Sequence, residues 1–94
     1  MSKLNIVIFE DNQQFRESLE FIIVTSSDLE LSGSFPDTNR LVQRMEALQP
    51  DVVLMDINIP GKNGIEAVKE IKDHFPNIQV CMQTVFDTDD KVFA

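Results

Sequence analysis

Apolar side chains along the chain follow two different spacings, and their alternation predicts the order of strands and helices. The run from Leu4 to Phe9 is nearly continuous and rich in β-branched residues, as in a strand covered on both faces. A helical spacing follows, and Asn12 can accept a hydrogen bond from the first turn of that helix. The apolar positions of this helix are Phe15, Leu19, Ile22 and Ile23. The chain is therefore predicted to begin with a strand and a helix.

The next strand is more polar than the first. The segment from Leu29 to Phe35 includes two serines and a glycine, as expected of a strand near a sheet edge, and Pro36 ends it because proline has no amide donor. Asp37 or Thr38 is expected to cap a second helix. The inward positions of that helix are Leu41, Met45 and Leu48, and it stops before Pro50.

The second half of the chain repeats the alternation. The segment from Asp51 to Asp56 is the most hydrophobic strand, which predicts a central position. A third helix then ends at Pro76, with apolar positions at Ile65, Val68, Ile71 and Phe75. The segment from Ile78 to Gln83 is predicted to be the fourth strand, and Asp87 or Thr88 could cap a fourth helix.

Strict alternation with short connections predicts the fold class. Right-handed βαβ crossovers place helices on both faces of a parallel sheet. We therefore expect an α/β, flavodoxin-like, doubly wound sheet with strand order 2-1-3-4. No linker or internal repeat divides the sequence, so residues 1–94 are expected to form one domain.

The composition of the chain excludes some classes of binding partner. A net charge of -8 repels nucleic acid and anionic membrane surfaces. No apolar stretch approaches the roughly 20 residues of a membrane-spanning helix, and no signal peptide is recognisable, so a cytoplasmic protein is expected. The lone Cys81 lies among strand-type residues and is expected to be buried and inert. Met45, Met55 and Met82 are expected to pack in the core.

Acidic residues follow two strands that the predicted order makes neighbours. Glu10 and Asp11 close the first strand and Asp56 closes the third, so three carboxylates should converge on one crevice. Because like charges repel strongly in a partly desolvated cleft, a hard divalent ion is expected there. Magnesium suits these oxygen ligands. Zinc does not, because Cys81 and His74 lie in different elements.

Thr84 adds a hydroxyl at the same edge, directly after the fourth strand. There it could bond a phosphoryl oxygen without adding charge. A carboxylate, a metal ion and a hydroxyl together indicate covalent phosphorylation of an aspartate, in which the carboxylate attacks phosphorus in line.

Four motifs in order resemble response-regulator receiver domains along the whole chain. They are Phe9 to Asn12, Asp51 to Asp56, Ile59 to Gly64 and Thr84 to Phe86. The resemblance implies a signalling switch of a two-component system, with no turnover of a diffusible substrate beyond weak self-phosphorylation and self-dephosphorylation. It further implies a histidine kinase, a phosphorelay protein or a small acyl phosphate as the phosphodonor. The amino-acid sequences of the motifs are most similar to those of receivers that precede a LuxR/NarL-type helix-turn-helix module. This similarity implies transcription regulation by a longer parent protein.

The resemblance also implies a role for each matching residue. Asp56 would be the phosphoacceptor, Asp11 the main metal ligand and Glu10 its acidic companion. Asn58 would give its backbone carbonyl to the metal. Thr84 would be the switch residue, whose hydroxyl turns toward the phosphoryl group and changes a protein-interaction surface.

Family members continue with the rest of a fourth helix, a fifth strand and a fifth helix. The added part carries a lysine that pairs with the phosphoryl group, and Lys91 follows Thr84 too soon to be that lysine. We therefore expect a receiver domain that is incomplete at its C-terminus. An uncovered fourth strand predicts self-association or domain exchange between copies.

Two other functions stay open. The first is a phosphate-insensitive interaction or dimerisation module, or a fragment that cannot be phosphorylated. The second is a hydrolase or nucleotide-binding enzyme. Against that second function, Gly61 and Lys62 lack the rest of a phosphate-binding loop, and the adjacent Glu10 and Asp11 differ from the two spaced aspartates of haloacid-dehalogenase-type phosphatases.

Overall fold

A computed structural model describes residues 3–83, in which strands and helices alternate. The elements are β1 (Leu4–Phe9), α1 (Gln13–Thr25), β2 (Leu29–Phe35), α2 (Leu41–Leu48), β3 (Val52–Asp56), α3 (Gly64–His74) and β4 (Gln79–Gln83). The four strands are parallel and follow the order β2-β1-β3-β4. This confirms the predicted class, the strand order, the central β3 and the edge position of β2. The predicted fourth helix lies outside the described residues.

The pleat of β1 divides the core between the two faces of the sheet. Val7 and Phe9 belong to a cluster that includes side chains of β3, α2 and α3. Ile6 and Ile8 point to the other face, where they pack with Ile23 of α1. Because successive side chains of a strand alternate between faces, this nearly continuous apolar run serves two cores. Helices therefore cover both faces, as the spacing predicted.

Two of the three helices within residues 3–83 begin at a side-chain cap. The Asn12 side chain accepts a hydrogen bond from the Phe15 amide at 2.9 Å, as predicted. Asn63 does the same for Glu66 in α3, at 3.0 Å. Each cap satisfies an amide that has no partner within the helix. Both caps lie on the loops that follow β1 and β3.

The predicted cap of α2 is wrong. The residue before this helix is Arg40, whose backbone is left-handed with φ of 53°, and no side chain caps the helix. Asp37 instead accepts hydrogen bonds from the Asn39 amide and the Arg44 guanidinium. The Thr38 hydroxyl donates to another loop. Contacts made within the folded molecule thus engage both candidate capping groups.

Burial differs from expectation at β4. Cys81 and Met82 are exposed, whereas Met45 and Met55 are fully buried as predicted. Among the described elements, β4 has substantial contacts only with β3, so one side of its backbone and much of its surface are left uncovered. Ile65, at a predicted apolar position of α3, is exposed as well.

Within residues 3–83, no helix is long and apolar enough to cross a membrane.

Candidate functional site

Three carboxylates meet where β1 and β3 end. Phe9 and Met55 are register partners on these adjacent strands, so the residues that follow them lie at one edge of the sheet. Each of Glu10, Asp11 and Asp56 offers a carboxylate oxygen, and these oxygens lie within 4.8 Å of one another. Glu10 is 1% exposed and Asp56 is 3% exposed, whereas Asp11 is open to solvent. The cluster is therefore a crevice with two buried acids and one accessible acid.

Backbone amides fix the two buried carboxylates. Glu10 accepts a hydrogen bond from the Asn12 amide at 3.0 Å, and its own amide donates to the Phe35 carbonyl of β2 at 2.9 Å. Asp56 accepts from the Asn58 amide at 3.1 Å. Each acid thus holds the start of the loop that follows its own strand. Within residues 3–83, this arrangement sets the direction of both carboxylates without an ion pair to a cationic side chain.

The proximity and burial of these acids change the pKa values of Glu10 and Asp56. Burial raises the pKa of Glu10 to about 7, the Asn12 amide opposes that rise, and the nearby Asp56 adds to it. Burial also raises the pKa of Asp56, against the opposing effect of the Asn58 amide and with a further increase from Asp11. Desolvation and neighbouring negative charge both favour the neutral acid. A bound cation would therefore stabilise the ionised form of these acids.

The donor set fits a hard divalent ion. All three side chains offer carboxylate oxygens, which is the chemistry that Mg²⁺ prefers, and the exposed Asp11 leaves room for water and a further ligand. The described residues contain no cluster of three or more cysteine, histidine or acidic side chains around Cys81 and His74 that would suit zinc. Magnesium accordingly fits the donor set of the crevice.

The predicted site residues have different outcomes. Glu10, Asp11 and Asp56 are brought together, as their positions after parallel strands predicted. Asn58 is exposed two residues beyond Asp56 and is tied to it through its amide. Thr84 lies outside the described residues. Its neighbour Gln83 is the register partner of Asp56.

Two residues at the site were missed in the sequence. The Arg16 guanidinium donates to the Glu10 carbonyl at 2.8 Å, and the Gln83 side-chain amide lies 3.4 Å from a Glu10 carboxylate oxygen. A cue existed for each of them. Arg16 follows the capping Asn12 by one helical turn, and Gln83 is a polar residue at the carboxyl end of a strand.

Comparisons with known proteins bear on the family and on the fold of the chain. Residues 6–94 match a family described as the response regulator receiver domain. The chain is 34% identical over 91 residues to the transcriptional regulatory protein DegU of Brevibacillus brevis, covering 97% of this chain and 39% of that protein. It is 29% identical over 90 residues to the response regulator protein VraR of Staphylococcus aureus, covering 96% of this chain and 43% of VraR. The chain thus spans about 40% of the length of these curated relatives.

Solved structures give the same fold. A LuxR-family DNA-binding response regulator from Staphylococcus aureus superimposes with a TM-score of 0.80 at 27% identity, covering 96% of this chain and 75% of that one. The receiver domain of a response regulator NarL from Mycobacterium tuberculosis gives a TM-score of 0.82 at 22% identity, covering 99% of this chain and 75% of that one. The second likeness is one of fold alone.

Proposed function

This chain belongs to the response regulator receiver domain family of two-component signalling, and from that premise we propose that it accepts a phosphoryl group on Asp56 with the help of Mg²⁺. The observation that supports the proposal most strongly is that carboxylate oxygens of Glu10, Asp11 and Asp56 lie within 4.8 Å of one another. Receiver domains act as phosphoacceptors and are not turnover enzymes for a diffusible substrate. The phosphodonor is a histidine kinase, a phosphorelay protein or a small acyl phosphate.

The transfer is a substitution at phosphorus. A carboxylate oxygen of Asp56 forms a bond to phosphorus while the bond from phosphorus to the donor's nitrogen or oxygen breaks, and the donor leaves with that electron pair. Asp56 must be ionised to attack. The Asn58 amide assists by donating to this carboxylate, which stabilises the charged form in a buried position.

The acidic neighbours of Asp56 provide the metal ligands in this proposal. Asp11, Glu10 and Asp56 supply carboxylate oxygens, and Asn58 supplies its backbone carbonyl. When bound, Mg²⁺ offsets the negative charge of the incoming phosphoryl group and of the attacking carboxylate. The amide that donates to Glu10 and the guanidinium that donates to its carbonyl keep the acidic pair in place.

Thr84 is proposed as the switch residue. It directly follows Gln83, the register partner of Asp56, and this position in the sequence supports the proposal. Its hydroxyl would donate to a phosphoryl oxygen after transfer. Movement of Thr84 would then change the surface formed by the following segment.

The relatives support a role in transcription through a longer parent protein. DegU is named a transcriptional regulatory protein, and this chain covers 39% of it. We propose that this chain is likewise the receiver portion of a cytoplasmic transcription regulator. The net charge of -8 supports a role in which this segment itself does not bind nucleic acid.

Self-association through β4 is part of the proposal. Within residues 3–83 this strand is paired only on its β3 side, and Cys81 and Met82 are exposed on it. A second copy could pair with the open backbone edge or exchange an element across it.

A phosphate-insensitive interaction module is the second candidate. The exposed apolar side chains Phe21, Ile22 and Val24 on α1 favour it, because such a surface could serve docking without any phosphorylation.

Acyl-phosphate labelling separates the two candidates. The chain is incubated with acetyl phosphate and Mg²⁺, and incorporation is read by intact mass. The wild type should gain one phosphoryl group, and Asp56→Asn should gain none. Asp73→Asn, a change at an exposed acid on α3, is the matched control and should label like the wild type. Equal labelling of wild type and Asp56→Asn would exclude Asp56 as the acceptor, and no labelling of any of them would favour the interaction module.

A further inference from the structure

Thr38 is a buried polar residue whose side chain does not cap a helix. It lies in the loop between β2 and α2 and is 4% exposed. Its hydroxyl donates to the Lys62 carbonyl at 2.8 Å and lies 3.3 Å from the Pro60 carbonyl. Its amide also donates to Pro60, at 3.4 Å. All of these contacts are with the segment that follows the acidic crevice, more than 20 residues further along the chain.

That segment is the β3–α3 loop, residues 57–63, and it is held from both sides. On the crevice side, Asp56 accepts a hydrogen bond from the Asn58 amide. At its base, the Gly64 amide donates to the Ile57 carbonyl at 2.9 Å. On the far side, Thr38 holds the loop through Pro60 and Lys62. The β3–α3 loop is thus held by hydrogen bonds to the Asp56 carboxylate at one point and to the Thr38 hydroxyl at another.

Thr38 lies so close to the loop that position 61 has no space for a residue larger than glycine. Gly61 has a φ of 93°, and a Cβ built there would lie 2.8 Å from the Thr38 hydroxyl oxygen. Proline at position 60 has no amide to donate, so this turn has few backbone hydrogen bonds of its own. The Thr38 hydroxyl, which is itself buried, therefore adds a contact from outside the turn that restricts its backbone.

We propose that Thr38 is a positioning residue for the acidic crevice, acting through its hydrogen bonds to the β3–α3 loop. The inference rests on the proposed function, since the loop carries Asn58, whose carbonyl is assigned to the metal. Thr38 is not among the proposed ligands of the metal or of the phosphoryl group, and its hydrogen bonds go to Pro60 and Lys62. It restricts the loop, so that Asn58 is held ready beside Asp56, and metal binding does not have to order the loop first.

The test compares variants that differ only in this hydrogen bond. Thr38→Val keeps the shape and removes the hydroxyl, whereas Thr38→Ser keeps the hydroxyl. Mg²⁺ affinity is measured by calorimetry on the 94-residue chain. Thr38→Val should bind Mg²⁺ about fivefold more weakly, which corresponds to the loss of one hydrogen bond, and Thr38→Ser should stay within about twofold of wild type. Wild-type affinity in Thr38→Val would overturn the proposal.

A matched control separates positioning from general loss of stability. Thr25→Val makes the same Thr-to-Val change, in this case at a hydroxyl that donates to the Phe21 carbonyl at 2.7 Å in the last turn of α1, away from the β3–α3 loop. It should leave Mg²⁺ affinity unchanged. If Thr25→Val weakens Mg²⁺ binding as much as Thr38→Val does, Thr38 has no specific role.

The unmodified chain offers a second measurement that does not depend on a variant folding. Because coupling between two sites is reciprocal, Mg²⁺ should slow the amide hydrogen exchange of Gly64 and shift the Thr38 amide resonance, although neither residue is a ligand. Unchanged exchange and unchanged shifts on metal saturation would overturn the proposal.

Failure of the proposed function is recognised separately. If the wild type binds no Mg²⁺ and Asp56 is not labelled, the proposed function fails. Loop restriction by Thr38 is then judged by hydrogen exchange alone. Faster exchange of the Gly64 amide in Thr38→Val than in Thr25→Val supports that restriction, and equal rates contradict it.

Discussion

Glu10 is a carboxylic acid with almost no access to water, and its position explains its ionisation. It is 1% exposed and close to Asp56 and Asp11, so burial and neighbouring charge raise its pKa to about 7. Near neutral pH a large fraction of this side chain keeps its proton in the absence of a cation. The same properties that make the crevice unfavourable for three free acids make it suitable for a divalent ion.

The raised pKa predicts how stability depends on pH without metal. Between about pH 4.5 and 7 the folded chain retains a proton on Glu10 that the unfolded chain releases. Folding therefore takes up a proton in this window, and raising the pH through it should lower the free energy of unfolding, by about 1 to 3 kcal/mol. Urea denaturation in the presence of a chelator, followed by circular dichroism, measures this slope.

Two variants assign that slope to the crevice. Glu10→Gln should flatten it, leaving the part due to Asp56, whose pKa is also raised. Glu46→Gln, at an exposed position of α2, should leave it unchanged. A stability that rises with pH over this window in the wild type, or an unchanged slope in Glu10→Gln, would contradict the assignment.

The acidic residues could be predicted from sequence and their polar neighbours could not. Glu10, Asp11 and Asp56 follow strands whose carboxyl ends share one edge, so the strand order alone places them together. Arg16 and Gln83 reach Glu10 only through the directions of their side chains in the folded molecule. Sequence spacing does not determine those directions.

At the level of elements, helix starts were predictable where the cap is local. Asn12 caps α1 through an amide three residues away, so the sequence contains both partners. Thr38 failed as a cap of α2 because its hydroxyl donates to Lys62, 24 residues along the chain. Such a competing partner becomes visible only when the loops are packed together.

Removing the cap of α1 should destabilise the fold. Asn12→Ala leaves the Phe15 amide without its side-chain partner, at a cost of about 1 kcal/mol. Gln14→Ala, at an exposed position in the same first turn, should change stability by less than about 0.5 kcal/mol. Urea denaturation compares the two variants, and equal effects would argue against a capping role.

For the whole molecule, topology was easier to predict than surface cover. The alternation of spacings specified a parallel sheet with helices on both faces, and the strand order follows it. Cys81 and Met82 were wrongly assigned to the core because a strand-like pattern does not tell which strand has a covering neighbour. Their exposure depends on the neighbours of β4, which the local sequence does not describe.

Within residues 3–83, β4 is paired only with β3, and this edge predicts association that depends on concentration. Sedimentation velocity of the chain should show dimers or larger species as concentration rises, and Met82→Lys should shift the distribution toward monomer, because an edge charge opposes strand pairing. Val24→Lys adds the same charge on exposed α1 and should have little effect. The reverse pattern would assign association to α1, and a monomer at all concentrations would exclude it.

Metal binding at the crevice is tested most directly with Mn²⁺ in place of Mg²⁺, followed by NMR of the amide resonances. Bound Mn²⁺ should broaden the amides of residues 10–12 and 56–58 together, and Asp11→Asn should require a higher Mn²⁺ concentration for the same broadening. Added Mg²⁺ should restore the lost signals by competition. Broadening centred on the acids of α3, or no selective broadening at all, would contradict a divalent-metal centre formed by Glu10, Asp11 and Asp56.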